Sequence, residues 1–370
     1  MMPPIIQVRD SSLNRVAELA EYSRLEVLSR DNDCGTWQID LPFGAAGADL
    51  LFDDGAGLYV EQDGARLIAG PVRNIDRVFD GSGDRLRVSG VSDCVWLQRR
   101  LAFPDPDGDF SLQEFDVRTG VASTVMRQYV DVNVGPSALV DRRVAVLAPD
   151  PVAGSVVTGR ARFDLLNDLL RELALAGGDL TYRLVDDGAG QIVFEVGERR
   201  DLSGTAVFSP DLGNVASFQF RVASPDATRV VVGGAGEGVA RDFLIADEGV
   251  SRFGLIERFV DARQASASGE LAQASVEALA DAVQPAQLLL EPLDTDAVKF
   301  GRDYRVGDIV TVEVDGVPVV DAIRQVRVTY DDTGVTVAPS VSAAGDAQTL
   351  RLWDELREQR KRVGLLERRR

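Results

Sequence analysis

The side chains that could do chemistry in this chain are carboxylates, because none of its 370 residues is histidine. Histidine titrates nearest neutral pH and is the commonest zinc ligand, so its absence excludes Ser-His and Cys-His nucleophiles and most zinc sites. Two carboxylates such as Glu257 and Glu291 could act as general acid and base. With 59 acidic residues such a pair arises by chance, so we expect no catalytic residue and no enzymatic activity.

A cluster of carboxylates at 105–109 (DPDGD) has the alternating spacing with which a calcium loop begins. The sixth loop position requires glycine but is Phe110, and the twelfth requires glutamate but is Asp116. The cluster therefore predicts a solvated acidic turn, and we expect no bound metal.

A second candidate site is the glycine-rich run at 233–238 (GGAGEG), which follows an apparent strand. Val239 stands where the third glycine of a dinucleotide-binding GxGxxG motif belongs, and 240–246 (ARDFLIA) is a poor crossover helix. We interpret the run as a turn between two strands and expect no cofactor.

Charge and cysteine content narrow the class of protein. A net charge of −19 argues against a nucleic-acid groove or an anionic membrane surface as partner. The two cysteines, Cys34 and Cys94, are too few for a secreted disulfide scaffold, so we expect free thiols and folding in a reducing cytoplasm. The N-terminus lacks the pattern of a signal peptide and no apolar run reaches about 18 residues, so we expect no membrane insertion.

The elements that would position any site are mostly β-strands, and one β unit occurs twice. Residues 57–88 and 301–339 each read as a three-stranded meander with an Asp-Gly turn. Val60 to Gly64 align with Val312 to Gly316 at an offset of 252, and Asp80 falls on Asp332 at the same offset. Either the pattern is a coincidence of common turns or a β domain is duplicated near the two ends of the chain.

Between the meanders the pattern changes from β to mixed. Apolar residues at four-residue spacing predict one helix from Val117 to Val130 and another from Phe163 to Leu173, followed by strands at 180–185 and 191–196. Residues 13–20 fit helix and strand equally well. Strands are also expected at 25–29, 36–41, 217–222, 228–232 and 253–260, and a helix at 270–283.

The last segment, from Asp346 to Arg370, is a basic appendage on an acidic body, with five acids and eight bases. Its apolar residues recur at three- and four-residue spacing and predict an amphipathic helix too short to be stable alone. The helix either folds back on its own chain's acidic surface or docks on an adjoining protein, which we favour. The predicted partner-binding residues are Leu352, Trp353, Leu356, Val363 and Leu366.

Several short runs resemble the tail-tip hub proteins of long-tailed phages that infect actinobacteria. They include Gly35-Thr36-Trp37, Ala69-Gly70-Pro71-Val72, 253–262 (FGLIERFVDA) and Tyr304-Arg305-Val306-Gly307-Asp308. That family resembles the baseplate hubs of contractile tails, which are homotrimers with two related β-barrels per chain in a pseudo-sixfold ring. The resemblance implies an α+β, mainly β chain with two β-barrel tube domains flanking a small α/β insertion, and a C-terminal helix.

The domain boundaries that we predict are 1–105 (first β-barrel), 106–203 (α/β insertion), 204–265 (connecting β domain), 266–345 (second β-barrel) and 346–370 (helix). The resemblance implies a structural hub in the virion tail tip, assembled in the host cytoplasm, that contacts itself, the distal tail ring, the tape measure and a tip fibre or spike. Genomic DNA would pass through its channel without specific binding.

Alternative functions are the hub of a phage-derived contractile injection system and a tail-associated cell-wall hydrolase. The sequence up to Arg370 contains no run that we interpret as a fibre or lytic domain, which makes the structural role the favoured hypothesis.

Overall fold

A computed structural model describes residues 3–81, 83–221, 224–247, 253–263, 268–282, 287–292, 298–314 and 317–342. The chain is mainly β with few helices, as the sequence predicts. The predicted C-terminal helix and its five apolar residues lie outside the described residues.

The first β unit consists of β3 to β7, preceded by a hairpin of two shorter strands. Alternating apolar residues fill its buried face, as in β4, where Trp37, Ile39 and Leu41 are buried. Residues 13–20, undecided from sequence, contain a strand. The bounds are β1 Ile5–Arg9, β2 Arg15–Glu18, β3 Arg24–Arg30, β4 Thr36–Pro42, β5 Gly57–Gln62, β6 Ala65–Asp80 and β7 Gly83–Val91.

The second β unit consists of β14 and β18 to β21, and the short strand β13 extends it by pairing with β19. Its β14 falls within the predicted connecting segment 204–265, yet it pairs with β18; the domain boundaries themselves stay a prediction. The bounds are β13 Val207–Phe208, β14 Val215–Arg221, β18 Gln287–Pro292, β19 Ile309–Val314, β20 Val317–Asp331 and β21 Gly334–Ser342.

Both units belong to one thirteen-stranded sheet with the order β14-β18-β21-β20-β3-β4-β7-β6-β5-β1-β2, in which β19 pairs with β20 and β13. Within it the order β3-β4-β7-β6-β5 repeats as β14-β18-β21-β20-β19. Buried residues of the two units form a single apolar core.

The α/β insertion packs two helices against short sheets over a second core. The helix predicted from Val117 begins only at Ala122, so its first part was wrong: β-branched Val117, Thr119 and Val121 pair as a strand with β10. The bounds are α1 Val95–Gln98, β8 Asp116–Val121, α2 Ala122–Val134, β9 Ala145–Leu147, β10 Val156–Ala161, α3 Leu166–Ala176, β11 Thr181–Asp186 and β12 Ile192–Gly197.

A third, smaller core lies between a three-stranded sheet and a helix, where Val230 and Val232 meet Ala282. The strand predicted at 253–260 is shorter than expected, and β16 occupies part of the segment judged a poor helix. The bounds are β15 Arg229–Gly233, β16 Phe243–Asp247, β17 Glu257–Asp261 and α4 Ser268–Ala282. Among the described residues no helix is both long and apolar enough to cross a membrane.

Candidate functional site

The two β units meet where β20 pairs antiparallel with β3, a contact that we call the sheet junction. Its register runs from Gln325 opposite Arg30 to Tyr330 opposite Leu25. Val328, Val27, Tyr330 and Leu25 are all buried, so the junction is sealed by side chains as well as by backbone hydrogen bonds. An exposed ion pair between Arg327 and Glu26 lies on the opposite face.

A charged cluster ties the sheet junction to the α/β insertion. Arg324, at the bulge of β20, bonds Asp179 at 2.8 Å and Asp31 at 3.2 Å. Arg199 bonds Asp31 at 2.7 Å and Asp179 at 2.9 Å. Burial raises the pKa of Asp179, but the bonds from Arg324 and Arg199 outweigh it and lower that pKa to about 2. The Asp179 carboxyl therefore stays ionised at neutral pH, and the cluster holds three parts of the chain together.

A second charged cluster fixes the insertion to the first β unit. Arg9 of β1 is 2% exposed and bonds the Asp93 carboxylate, and it also bonds Asp186 at 2.9 Å. Arg15 completes the cluster with a bond of 3.1 Å to Asp186. Burial raises the pKa of Asp93, which Arg9 opposes. Loss of any one partner would leave a buried charge without its counter-ion, so the stability of this cluster requires all of its members.

Between these clusters lies a cleft lined by residues of the first β unit, of the insertion and of the segment that precedes β19, including Tyr59, Asp186 and Arg305. Arg66 also lines it. Burial lowers the pKa of the Arg66 guanidinium, which donates to the Asp186 backbone carbonyl at 3.3 Å. Cys34 and Cys94 beside the cleft are free thiols and both are buried. The hydrogen bond with Cys34, then burial, raises the pKa of the Cys94 thiol. The Asp186 carboxylate in the lining already accepts hydrogen bonds from Arg9 and Arg15.

The other sequence-derived candidates are placed apart. Glu257 lies on β17, 3.6 Å from Arg229, whereas Glu291 lies on β18 in another sheet. Asp105 accepts a backbone hydrogen bond from Asp107 at 2.9 Å, and Asp109 accepts one from Ser111 at 3.2 Å, as in a polar turn. No group of acidic or cysteine side chains in the described part of the chain is arranged to hold a metal ion.

The glycine-rich run at 233–238 connects β15 to β16, as predicted. The charged clusters around Arg9 and Arg324 were missed from the sequence. Their members are up to 293 residues apart in the chain, and isolated arginines among alternating strands carry no local signal.

The two units match in register as well as in strand order. The bulge of β6 lies at Arg73 and that of β20 at Arg324, and Asp80 pairs with Gly83 as Asp331 pairs with Gly334. The equivalent residues, Arg73 and Arg324 or Asp80 and Asp331, are 251 positions apart in the chain. The sequence alignment of Asp80 with Asp332 was therefore wrong by one residue, because Leu67 forms an extra bulge in the pairing of β6 with β5.

A model of the family described as Siphovirus ReqiPepy6 Gp37-like protein matches residues 5–341. No curated protein matches the chain.

Three solved structures share the fold at low identity. The 43 kDa tail protein of prophage MuSo2 from Shewanella oneidensis is 13% identical with a TM-score of 0.62 over 92% of this chain and 97% of that one. The tail protein from Neisseria meningitidis MC58 is 14% identical with a TM-score of 0.61, over 94% and 99%. The prophage tail protein gp18 from Listeria monocytogenes EGD-e is 11% identical with a TM-score of 0.55, over 96% and 98%.

Proposed function

The chain belongs to the Siphovirus ReqiPepy6 Gp37-like protein family, and on that premise we propose that it is a structural protein of a phage tail, the hub of the tail tip. The tail proteins that share its fold over nearly their whole length support a role in the virion. The finer assignment to tails of actinobacteriophages rests on the sequence resemblance.

The repeated strand order of the two β units carries this proposal. A ring with sixfold pseudo-symmetry needs six similar units, and a chain with two of them supplies six when three copies assemble. The hub is then a homotrimer that continues the tail tube and presents its other faces to neighbouring tail proteins. The chain needs no catalytic residue for this role.

The acidic excess supports a channel through which DNA passes without binding. We propose that part of the net charge of −19 lines the lumen, where it repels the phosphate backbone. A reconstruction in which arginines dominate the lumen would contradict this part of the proposal.

Cryo-electron microscopy of the assembled particle tests the whole proposal. We expect three copies of the chain in one ring at the distal end of the tail. Six copies, or a particle without the chain, would overturn the hub assignment.

A further inference from the structure

The two outer edges of the repeated units are formed by β6 and β14, which are equivalent in the repeat to β20 and β3, the two strands of the sheet junction. At one end, the outer half of β6 corresponds to β20 with an offset of 251. At the other end, β14 corresponds to β3: β14 pairs with β18 as β3 pairs with β4, which sets an offset of 193. In the described part of the chain neither edge pairs with a further strand.

The register of the sheet junction can be transferred to these two edges. Tyr330 lies opposite Leu25 in the junction, so the equivalent residues, Phe79 of β6 and Phe218 of β14, would lie opposite each other. By the same offsets Val78 would lie opposite Gln219. Side chains alternate along a strand, so Phe79 and Phe218 would share a face and Val78 and Gln219 the other.

The exposure of these residues differs sharply from that of their counterparts. Phe79 is 80% exposed and Phe218 40%, whereas Tyr330 is 3% exposed and Leu25 fully buried. Val78 is 40% exposed as well. A strand edge with apolar side chains and open backbone groups is a template for pairing with another strand.

We propose that β6 of one copy pairs antiparallel with β14 of the next copy, with Phe79 opposite Phe218, and that this contact repeats the sheet junction between chains. The inference rests on the proposed trimeric hub and adds its interface. A second copy is the occupant that fits, because the chain already contains this strand pairing between equivalent edges. The contact joins two different surfaces, so it does not end at a dimer, and it closes into a ring when the rotation between neighbouring copies is that of the proposed trimer.

Cysteine cross-linking in assembled particles tests the register. Facing residues of paired strands have Cβ atoms about 4.5–5.5 Å apart, close enough for a disulfide after a small adjustment. Particles carrying Phe79→Cys with Phe218→Cys should yield a covalent trimer on a non-reducing gel. The matched control, Phe79→Cys with Gln219→Cys, places the second thiol on the opposite face and should stay monomeric.

The outcomes separate the interface from the function. If the particles contain a trimer of the chain but the first variant does not cross-link, the register is overturned and the hub assignment stands. The same holds if the control variant cross-links. Cross-linking of Phe79→Cys alone would indicate a symmetric dimer and overturn the proposal. Particles that lack the chain altogether would overturn the hub itself.

A second pair of variants tests the same contact if the cysteine variants do not assemble. Phe79→Lys places a charge in the proposed contact and should prevent incorporation, although the purified chain keeps its melting temperature. Phe52→Lys changes a phenylalanine that is 55% exposed elsewhere and should assemble normally. Normal incorporation of Phe79→Lys would overturn the proposal.

Discussion

At the scale of single residues, one buried and one half-buried arginine hold the parts of this protein together. Arg9 connects β1 with Asp93 and Asp186, and Arg324 connects the second β unit with Asp31 and Asp179. An arginine suits these positions because its planar guanidinium donates to two carboxylates at once. The two clusters fix the orientation of the α/β insertion against both β units.

Replacing Arg9 by methionine should destabilise the protein strongly, because it leaves the buried Asp93 carboxylate without its cation. Loss of one partner of a buried ion pair costs about 3–5 kcal/mol. Chemical denaturation should show this loss. Arg24→Met is the control, since Arg24 is half exposed in its pair with Glu26 and should cost less than about 1 kcal/mol. Equal effects of the two variants would show that the Arg9 cluster is not a buried constraint.

Acid should weaken the cluster at the sheet junction through Asp179. The pKa of its carboxyl falls from an ordinary 3.8 to about 2 in the folded protein, so the unfolded chain binds more protons between these values. The stabilisation is complete above about pH 4 and is lost as the pH falls towards 2. The difference in unfolding free energy between the wild type and Asp179→Asn should therefore shrink over that range. A difference that grows on acidification would contradict this linkage.

At the scale of elements, the two β units have different residue pairs at equivalent positions of neighbouring strands. In the first, Trp37 of β4 lies opposite Gly90 of β7; in the second, the equivalent pair is Leu288 and Val341. A Cβ atom at Gly90 would lie 2.2 Å from the Trp37 ring and 2.3 Å from the Pro71 carbonyl oxygen. The large Trp37 side chain on one strand thus requires glycine opposite it on the next strand.

Gly90→Ala should consequently destabilise the first unit by about 1–3 kcal/mol, the usual cost of overpacking a well-filled core. Thermal unfolding measures it. Gly197→Ala, at a strand position where an added Cβ meets no atom within 4 Å, should leave the melting temperature nearly unchanged. If both variants melt like the wild type, the Trp37 ring has room that the structure does not show.

The sequence predicted the elements with local patterns better than it predicted their partners. Alternation and Asp-Gly turns located both meanders, and the stripe at Phe163–Leu173 located α3, which runs over Leu166–Ala176. The first turn of α2 was misplaced because valines four residues apart also fit a strand that leads into a helix. The sheet junction and its charged cluster could not be predicted, since pairing of β20 with β3 joins residues about 300 positions apart.

At the scale of the whole molecule, the chain is an acidic body with a basic end. Apolar residues of both units fill one core whose last member is Val341, and the five predicted partner-binding residues follow it in sequence. The segment 346–370 carries a net charge of +3 against −22 for the rest. Opposite charges favour contact of this segment with an acidic surface of its own chain or of a neighbour.

Truncation after Gly345 shows whether the segment 346–370 contacts its own chain or a neighbouring protein. The body should fold with an unchanged melting temperature, because no residue of the described cores is removed, whereas incorporation into tails should fall if the segment docks on an adjoining protein. Leu352→Asp with Leu356→Asp should reproduce the loss in the full chain, since charges on the apolar stripe oppose burial. Gln359→Asp adds one charge without removing an apolar side chain and serves as the milder control. Normal assembly of the truncated protein would exclude an interface role, and a lowered melting temperature would indicate that the segment packs on its own chain.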